Sequence, residues 1–285
     1  MRLLCLHGVG SSANILENQL RSFLQAVDPA YEFIFVDGPF ASPRGPGVSA
    51  HVEGPFFSHT VGYSPLKMAE ALDYIDETLD ELGPFDGVLG FSQGAAVLIA
   101  YMYQHEACRK PLPFKFALIF SSVMPCSDDI GYCQGIFDRL RSHRRELTAP
   151  PAAGAVPSPL REERIFIDLL LRTVVPARKN RAMLPDFDLG VYTEGDGLDA
   201  PRLMHPLLLK ERIHIPTVHI TGKRDSNFMR SMSEAARGLC DDKLVKKLEH
   251  GGGHHPPQKD VEIKAVIRAM DWAIAQSQKG LSLHL

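Results

Sequence analysis

The chain has 285 residues, 45% hydrophobic and 23% charged, which is enough apolar sequence for a sizeable core and too much for wholesale disorder. Its 31 basic and 34 acidic residues nearly cancel, to −3, leaving no basic footprint for nucleic acid and no polybasic patch for an anionic membrane. Five scattered cysteines form no C-x-x-C pair or zinc spacing and argue against a disulfide framework. The apolar run Leu3 to Leu6 is too short for a secretory signal, and the most apolar stretch, Gly87 to Tyr103, is interrupted by Ser92, Gln93 and glycines. A cytoplasmic protein with no membrane span is expected.

Along the chain, Arg2 to Leu6 and Tyr31 to Val36 are short apolar runs ended by His7-Gly8 and by Asp37-Gly38-Pro39, the pattern of buried parallel strands. Leu16, Leu20, Phe23, Leu24 and Val27 at helical spacing predict a helix over Asn14 to Val27. A second helix is predicted from Ser64 to Leu82, opened by Ser64-Pro65 and stopped by Gly83-Pro84. A strand at Gly87 to Gly90, a tight turn, a helix from Gln93 to His105 and a strand at Phe116 to Phe120 continue the alternation. After Cys126 the rhythm fails. Ala149 to Pro159 (APPAAGAVPSP) reads as a mobile connector, and Arg161 to Val174 and Arg202 to Glu211 read as short helices. It resumes with a strand at Thr217 to Thr221, a helix at Ser231 to Leu239, a strand at Leu244 to Leu248 and a helix at Val261 to Ala275. The expectation is an α/β fold, a mostly parallel sheet covered on both faces, made by residues 1–126 and 213–285, with 127–212 inserted as a cap.

Gly90-Phe91-Ser92-Gln93-Gly94 is a G-x-S-x-G pattern, common by chance, but it follows the strand DGVLG and opens the helix AAVLIAYMY. That strand-turn-helix holds a nucleophilic serine on a strained elbow. The glycines are required because side chains two before and two after the serine would meet the neighbouring helix and strand. A serine hydroxyl needs a base, itself oriented by a carboxylate. In this order of elements the acid and then the base follow the serine. Asp225 stands in a turn after the strand TVHIT, ahead of Asp196 and Asp199 in the insertion and of Asp241 and Asp242. His250, His254 and His255 compete for the base role in Glu249-His250-Gly251-Gly252-Gly253-His254-His255-Pro256, with His254 favoured because His250 hugs its strand and His255 precedes proline. A metal site built from the three histidines lacks an acidic ligand. The turn His7-Gly8-Val9-Gly10-Ser11-Ser12-Ala13, with Asp37 ending the next strand, loosely matches a dinucleotide fingerprint. An acyl-transfer site explains more: the Val9 and Gln93 N–H groups would form an oxyanion hole.

LCLHGVGSSANIL, GPFDGVLGFSQGA, HITGKRD and LEHGGGHHPP together resemble the fungal serine hydrolase (FSH) family of α/β-hydrolases. The resemblance implies Ser92 as nucleophile, Asp225 as orienting acid and His254 as base, with no cofactor or metal. LHGVGSSANIL and EGPFFSHTVGYS are most similar to the stand-alone esterases and thioesterases that accompany fungal polyketide synthases. This implies release of a polyketide or other long acyl chain from an acyl-carrier domain of such a synthase. A carboxylesterase on small or lipid esters, an acyltransferase or cyclase, and a non-catalytic binding protein are the alternatives. Phe91, Met124, Phe166, Leu170 and Phe187 are the candidate substrate contacts. Ile165, Phe166, Leu169, Leu170, Met183, Leu184 and Phe187 either roof an acyl pocket or bury the insertion's own small core. The run Arg139 to Arg145 is a solvated helix face or, alternatively, a dock for an acidic carrier.

Overall fold

The computed structural model describes residues 1–148 and 160–282, so the expected connector Ala149 to Pro159 lies outside the described residues. Six strands make the main sheet: β1 (Arg2–Leu6), β2 (Glu32–Val36), β3 (Gly87–Phe91), β4 (Phe116–Phe120), β5 (Thr217–Gly222) and β6 (Val245–His250). Their spatial order is β6-β5-β4-β3-β1-β2, and every neighbouring pair is parallel.

The short apolar runs form buried strands because each feeds two cores in alternation. From β1, Leu3 and Cys5 enter one core while Leu4 and Leu6 enter the other; from β4, Phe116, Leu118 and Phe120 oppose Ala117 and Ile119. The first core is closed by α1 (Ala13–Ala26), through Leu16, Leu20 and Phe23, and by α8 (Asp260–Ser282), through Ile263, Val266 and Met270. The second is closed by α2 (Pro65–Leu82), α3 (Gln93–Cys108) and α7 (Asn227–Arg237). Caps set the helix starts: the Ser12 side chain accepts from Ile15 N and that of Ser64 from Lys67 N, with Pro65 just inside. This is the α/β-hydrolase fold, and it collects the turns after β1, β3, β5 and β6 at one edge of the sheet.

Between β4 and β5 the chain builds α4 (Gln134–Thr148), α5 (Arg161–Arg172) and α6 (Val174–Lys179). Cys126–Ser127 pairs antiparallel with Arg202–Leu203, so the excursion leaves and returns at one point. The helix expected at Arg202 to Glu211 is absent: Arg202 lies in that ribbon, and residues 204–211 are irregular, with one turn at 206–208 where Leu208 and Leu209 N–H donate to His205 O. The Arg212 guanidinium donates to the carbonyls of Pro206, Leu209 and Glu211, closing the segment without a helix. Of the arginine run on α4, Arg139 pairs with the buried Glu163, and Arg141 pairs with Asp138 and is itself largely covered. Among the described residues no helix is long and apolar enough to cross a membrane.

Candidate active site

Strand β3 delivers Ser92 into a backbone conformation of φ 54° and ψ −110°, costly for any residue with a Cβ. The elbow is held there by its neighbours. Ser92 N–H donates to Phe120 O at 2.9 Å, and Gly94 N–H donates to His7 O at 3.0 Å. A Cβ at Gly90 would stand 2.6 Å from Ala95 Cα, and one at Gly94 would stand 2.5 Å from Leu6 O. Both flanking positions therefore require glycine, as the sequence pattern suggested.

Asp225 follows β5, and its Oδ1 accepts from Ser226 N–H at 2.8 Å. Its Oδ2 lies 2.7 Å from His254 Nδ1, and His254 Nε2 lies 3.0 Å from Ser92 Oγ. A carboxylate only accepts, so Nδ1 carries the proton and Nε2 is left to accept the serine hydroxyl proton. The base loop passes close over the end of β5: a Cβ at Gly222 would stand 2.6 Å from Gly252 O. Arg224 N–H donates to Gly252 O at 2.9 Å and fastens the acid turn to the base loop.

The other two histidines hold the loop instead. His250 Nδ1 accepts from Gly252 N–H, while His255 Nε2 accepts from Gly253 N–H and its Nδ1 donates to Pro256 O. Burial lowers the His250 pKa and keeps that ring neutral. Among the described residues no group of His, Cys, Asp or Glu has metal-site geometry.

The turn after β1 packs directly on the elbow, where a Cβ at Gly8 would stand 3.2 Å from Ser92 Cβ. Neither Val9 N–H nor Gln93 N–H has a protein acceptor among the described residues. The dinucleotide reading fails here. The Asp37 carboxylate accepts from Ala13 N–H at 2.7 Å and so occupies the helix N-terminus where a pyrophosphate would sit. His7 bridges the turn to the next strand: its Nε2 accepts from Gly38 N–H at 2.9 Å and its Nδ1 donates to Gly8 O at 2.7 Å.

Sequence reasoning did not assign the Gln93 side chain a role. Its Oε1 accepts from His59 N–H at 2.9 Å, and its Nε2 is 3.4 Å from both Thr60 O and Tyr63 OH. Tyr63 OH in turn donates to Leu184 O at 3.0 Å, linking the elbow to the cap. Burial pushes the Tyr63 pKa up to about 12, so it stays a donor. The polar Gln in GFSQG and the segment EGPFFSHTVGYS were the available signals.

Ser92, His254 and Asp225 open onto one cavity of about 250 Å³. Of the candidate contacts, Phe91, Met124 and Phe187 line it. Phe91 also lies against the His254 ring, 5.2 Å between centroids. Phe166 and Leu170 do not line it. Phe166 is fully buried against Phe137 and Tyr192, 5.2 and 5.3 Å between centroids, and Leu170 packs into the same core. Met183 and Leu184 join Phe187 on the cavity wall, so the insertion's apolar residues divide between roof and core.

The family model described as serine hydrolase (FSH1) matches residues 1–266. Esterase alnB of Emericella nidulans is 37% identical over 278 residues, covering 98% of each chain. Esterase FPY3 of Fusarium mangiferae is 29% identical over 289 residues, covering 98% of this chain and 100% of that one. Among solved structures, the monoacylglycerol lipase of Paleococcus ferrophilus is similar with a TM-score of 0.47 at 16% identity, covering 96% of this chain and 94% of that one.

Proposed function

The chain belongs to the serine hydrolase (FSH1) family, a hydrolytic enzyme acting on esters, and from that premise we propose that Ser92, His254 and Asp225 form its catalytic triad and that its substrate is a long acyl thioester on a carrier domain. The observation that carries this reading is the continuous relay from Asp225 Oδ2 through His254 to Ser92 Oγ, at 2.7 and 3.0 Å, opening on an apolar cavity.

Ser92 Oγ attacks the acyl carbonyl as its proton passes to His254 Nε2, and Asp225 stabilises the imidazolium that results. The tetrahedral oxyanion is met by the Val9 and Gln93 N–H groups, which are preorganised and in need of an acceptor. Collapse breaks the carbon–sulfur bond, and the thiol leaves with the proton from His254. Water, deprotonated by the same nitrogen, then attacks the acyl-enzyme and releases a carboxylic acid while Ser92 regains its proton. The choice of a long acyl chain is supported by the walls of the cap side: Met124, Met183, Leu184, Phe187, Met229 and Met232 offer no charge to a polar acid. The polyketide synthase carrier domain as donor is supported by the resemblance to stand-alone thioesterases carried by LHGVGSSANIL and EGPFFSHTVGYS.

A fluorophosphonate probe should label the wild type and not Ser92→Ala, and a long acyl thioester should be hydrolysed faster than an acetyl ester. Equal labelling of both proteins overturns the triad assignment. A preference for the acetyl ester overturns the long-chain reading and leaves a small-ester carboxylesterase.

A further inference from the structure

The cavity has two unlike ends. On the cap side, Met124, Val174, Leu203, Met229 and Met232 are buried and apolar. The opposite wall comes from α1, the turn before it and the loop after the Phe40–Ala41 strand, through Ser11, Gln19, Pro46, Gly47 and Val48. Pro46 and Gly47 are exposed, so this end opens to solvent. The loop is fixed against the oxyanion turn. Gly45 N–H donates to Gly10 O at 2.8 Å, and a Cβ at Gly45 would collide with Val9 O. It also reaches the base, because a Cβ at Gly47 would stand 4.0 Å from His254 Cδ2.

Two chemical demands place the substrate across these ends. The leaving atom must lie beside His254 Nε2, which protonates it. A carrier larger than the cavity must stay in solvent. Both demands put the leaving group at the open end and the acyl chain under the cap.

At the open end, Gln19 Oε1 is shielded from solvent and has no hydrogen-bond partner among the described residues. Its main-chain oxygen is already engaged by Gln258 Nε2 at 3.0 Å. A covered amide oxygen without a donor is costly, and the cost is recovered when a ligand supplies one. A secondary amide fits best: its N–H serves Oε1, and its carbonyl accepts from the Gln19 NH2 group.

We propose that Gln19 determines specificity on the leaving-group side by recognising a secondary amide a few bonds from the scissile sulfur or oxygen, the chemistry of a pantetheine arm. The choice of a thiol rests on the acyl-thioester reading above; the amide does not, since an alcohol can carry one equally well.

The test presents one decanoyl group as its N-acetylcysteamine thioester and as its S-pentyl thioester, which match in chain length and differ in the amide. Wild type should prefer the amide-bearing substrate in kcat/KM by about tenfold, the loss expected for one shielded hydrogen bond. Gln19→Leu should erase that preference by slowing the amide substrate alone, and Gln19→Glu, which keeps the acceptor but loses the donor to the amide carbonyl, should retain only part of it. The S-pentyl rate and fluorophosphonate labelling should stay unchanged, reporting an intact site. No preference in the wild type, or equal slowing of both thioesters in Gln19→Leu, overturns the proposal. The 2-acetamidoethyl and pentyl esters of decanoic acid separate it from the thioester reading. If both thioesters are poor substrates while the 2-acetamidoethyl ester is preferred by wild type and not by Gln19→Leu, amide recognition stands and the thioester assignment falls.

Discussion

The turns that carry Ser92, Asp225 and His254 and the cap that roofs them lie side by side but are held by different parts of the chain. The turns are pinned by main chain: Ser92 N–H to Phe120 O, Gly94 N–H to His7 O, Lys223 N–H to His250 O and Arg224 N–H to Gly252 O. Backbones this close leave no room for Cβ atoms at positions 90, 94 and 222. The cap is held by side chains, by the mutual packing of Phe137, Phe166 and Tyr192, the buried Glu163 paired with Arg139, and Arg202 stacked 4.5 Å over the Phe137 ring. Main-chain contacts admit few alternatives, whereas side-chain packing can be rearranged by exchanging sizes. The groups of the proposed triad thus tolerate little change, while the pocket can be re-shaped without disturbing them.

The largest effect should follow from disturbing a main-chain-pinned turn chemically without disturbing its shape. Asp225→Asn keeps the side chain's size and the bond from Ser226 N–H, but it presents a donor or a weaker acceptor to His254 Nδ1 and favours the wrong tautomer. Steady-state hydrolysis of a chromogenic long-chain ester should fall by about four orders of magnitude in kcat, with the thermal midpoint nearly unchanged. A loss below tenfold would mean that some other carboxylate orients the base.

The next effect belongs to the cap and appears as stability. Phe166 is fully buried, and its cluster is continuous with the residues of α2, α3 and α7 that cover the sheet. Phe166→Ala should cost about 3–5 kcal/mol in a urea titration. Fluorophosphonate labelling should be lost at the same urea concentration as the helical circular dichroism signal. Labelling that survives loss of the cap's helical signal would show that the two regions unfold separately.

This contrast in support also explains what could be read from the sequence. Strands β1 and β4 coincide with their apolar runs because a strand buried on both faces needs a continuous run, which a linear reading detects. The elbow was legible because its glycines answer a local steric demand. The expectation of His254 over His250 and His255 had less to stand on, since all three sit within six residues; what separates them in the structure is hydrogen bonding, His254 to Asp225 and Ser92, His250 to Gly252, and His255 to Gly253 and Pro256. The cap residues were the least legible. The apolar stripe of α5 says that Phe166 and Leu170 are covered, but not whether by a cavity wall or by Phe137 and Tyr192. Arg202 to Glu211 has helical composition, yet Arg202 is fully buried, donating to Ile130 O and Gln134 Oε1, partners about seventy positions away. Gln93 acts across the fold as well, bonding to His59, Thr60 and Tyr63, and no local pattern marks a polar side chain whose partner lies on another element.

The smallest expected effect separates two phenylalanines of the same cap. Phe187 lines the cavity and meets Tyr192 only edge-on at 6.2 Å, whereas Phe166 is enclosed by rings and never reaches the cavity. Truncating Phe187 therefore removes a wall rather than a keystone. Phe187→Ala should lengthen the acyl end, shifting the preferred chain upward, with each additional buried methylene contributing about 0.8 kcal/mol, or about fourfold in kcat/KM. Its stability loss should be well below that of Phe166→Ala, since one face of the ring already borders a cavity and less packing is forfeited. Rates across a ladder of acyl lengths, compared between the two variants, provide the check. If Phe166→Ala moved the preferred length and Phe187→Ala did not, the division of the cap into roof and core would be reversed. Two equal shifts would mean that the cap yields as one body, with its packing and its selectivity no longer separable.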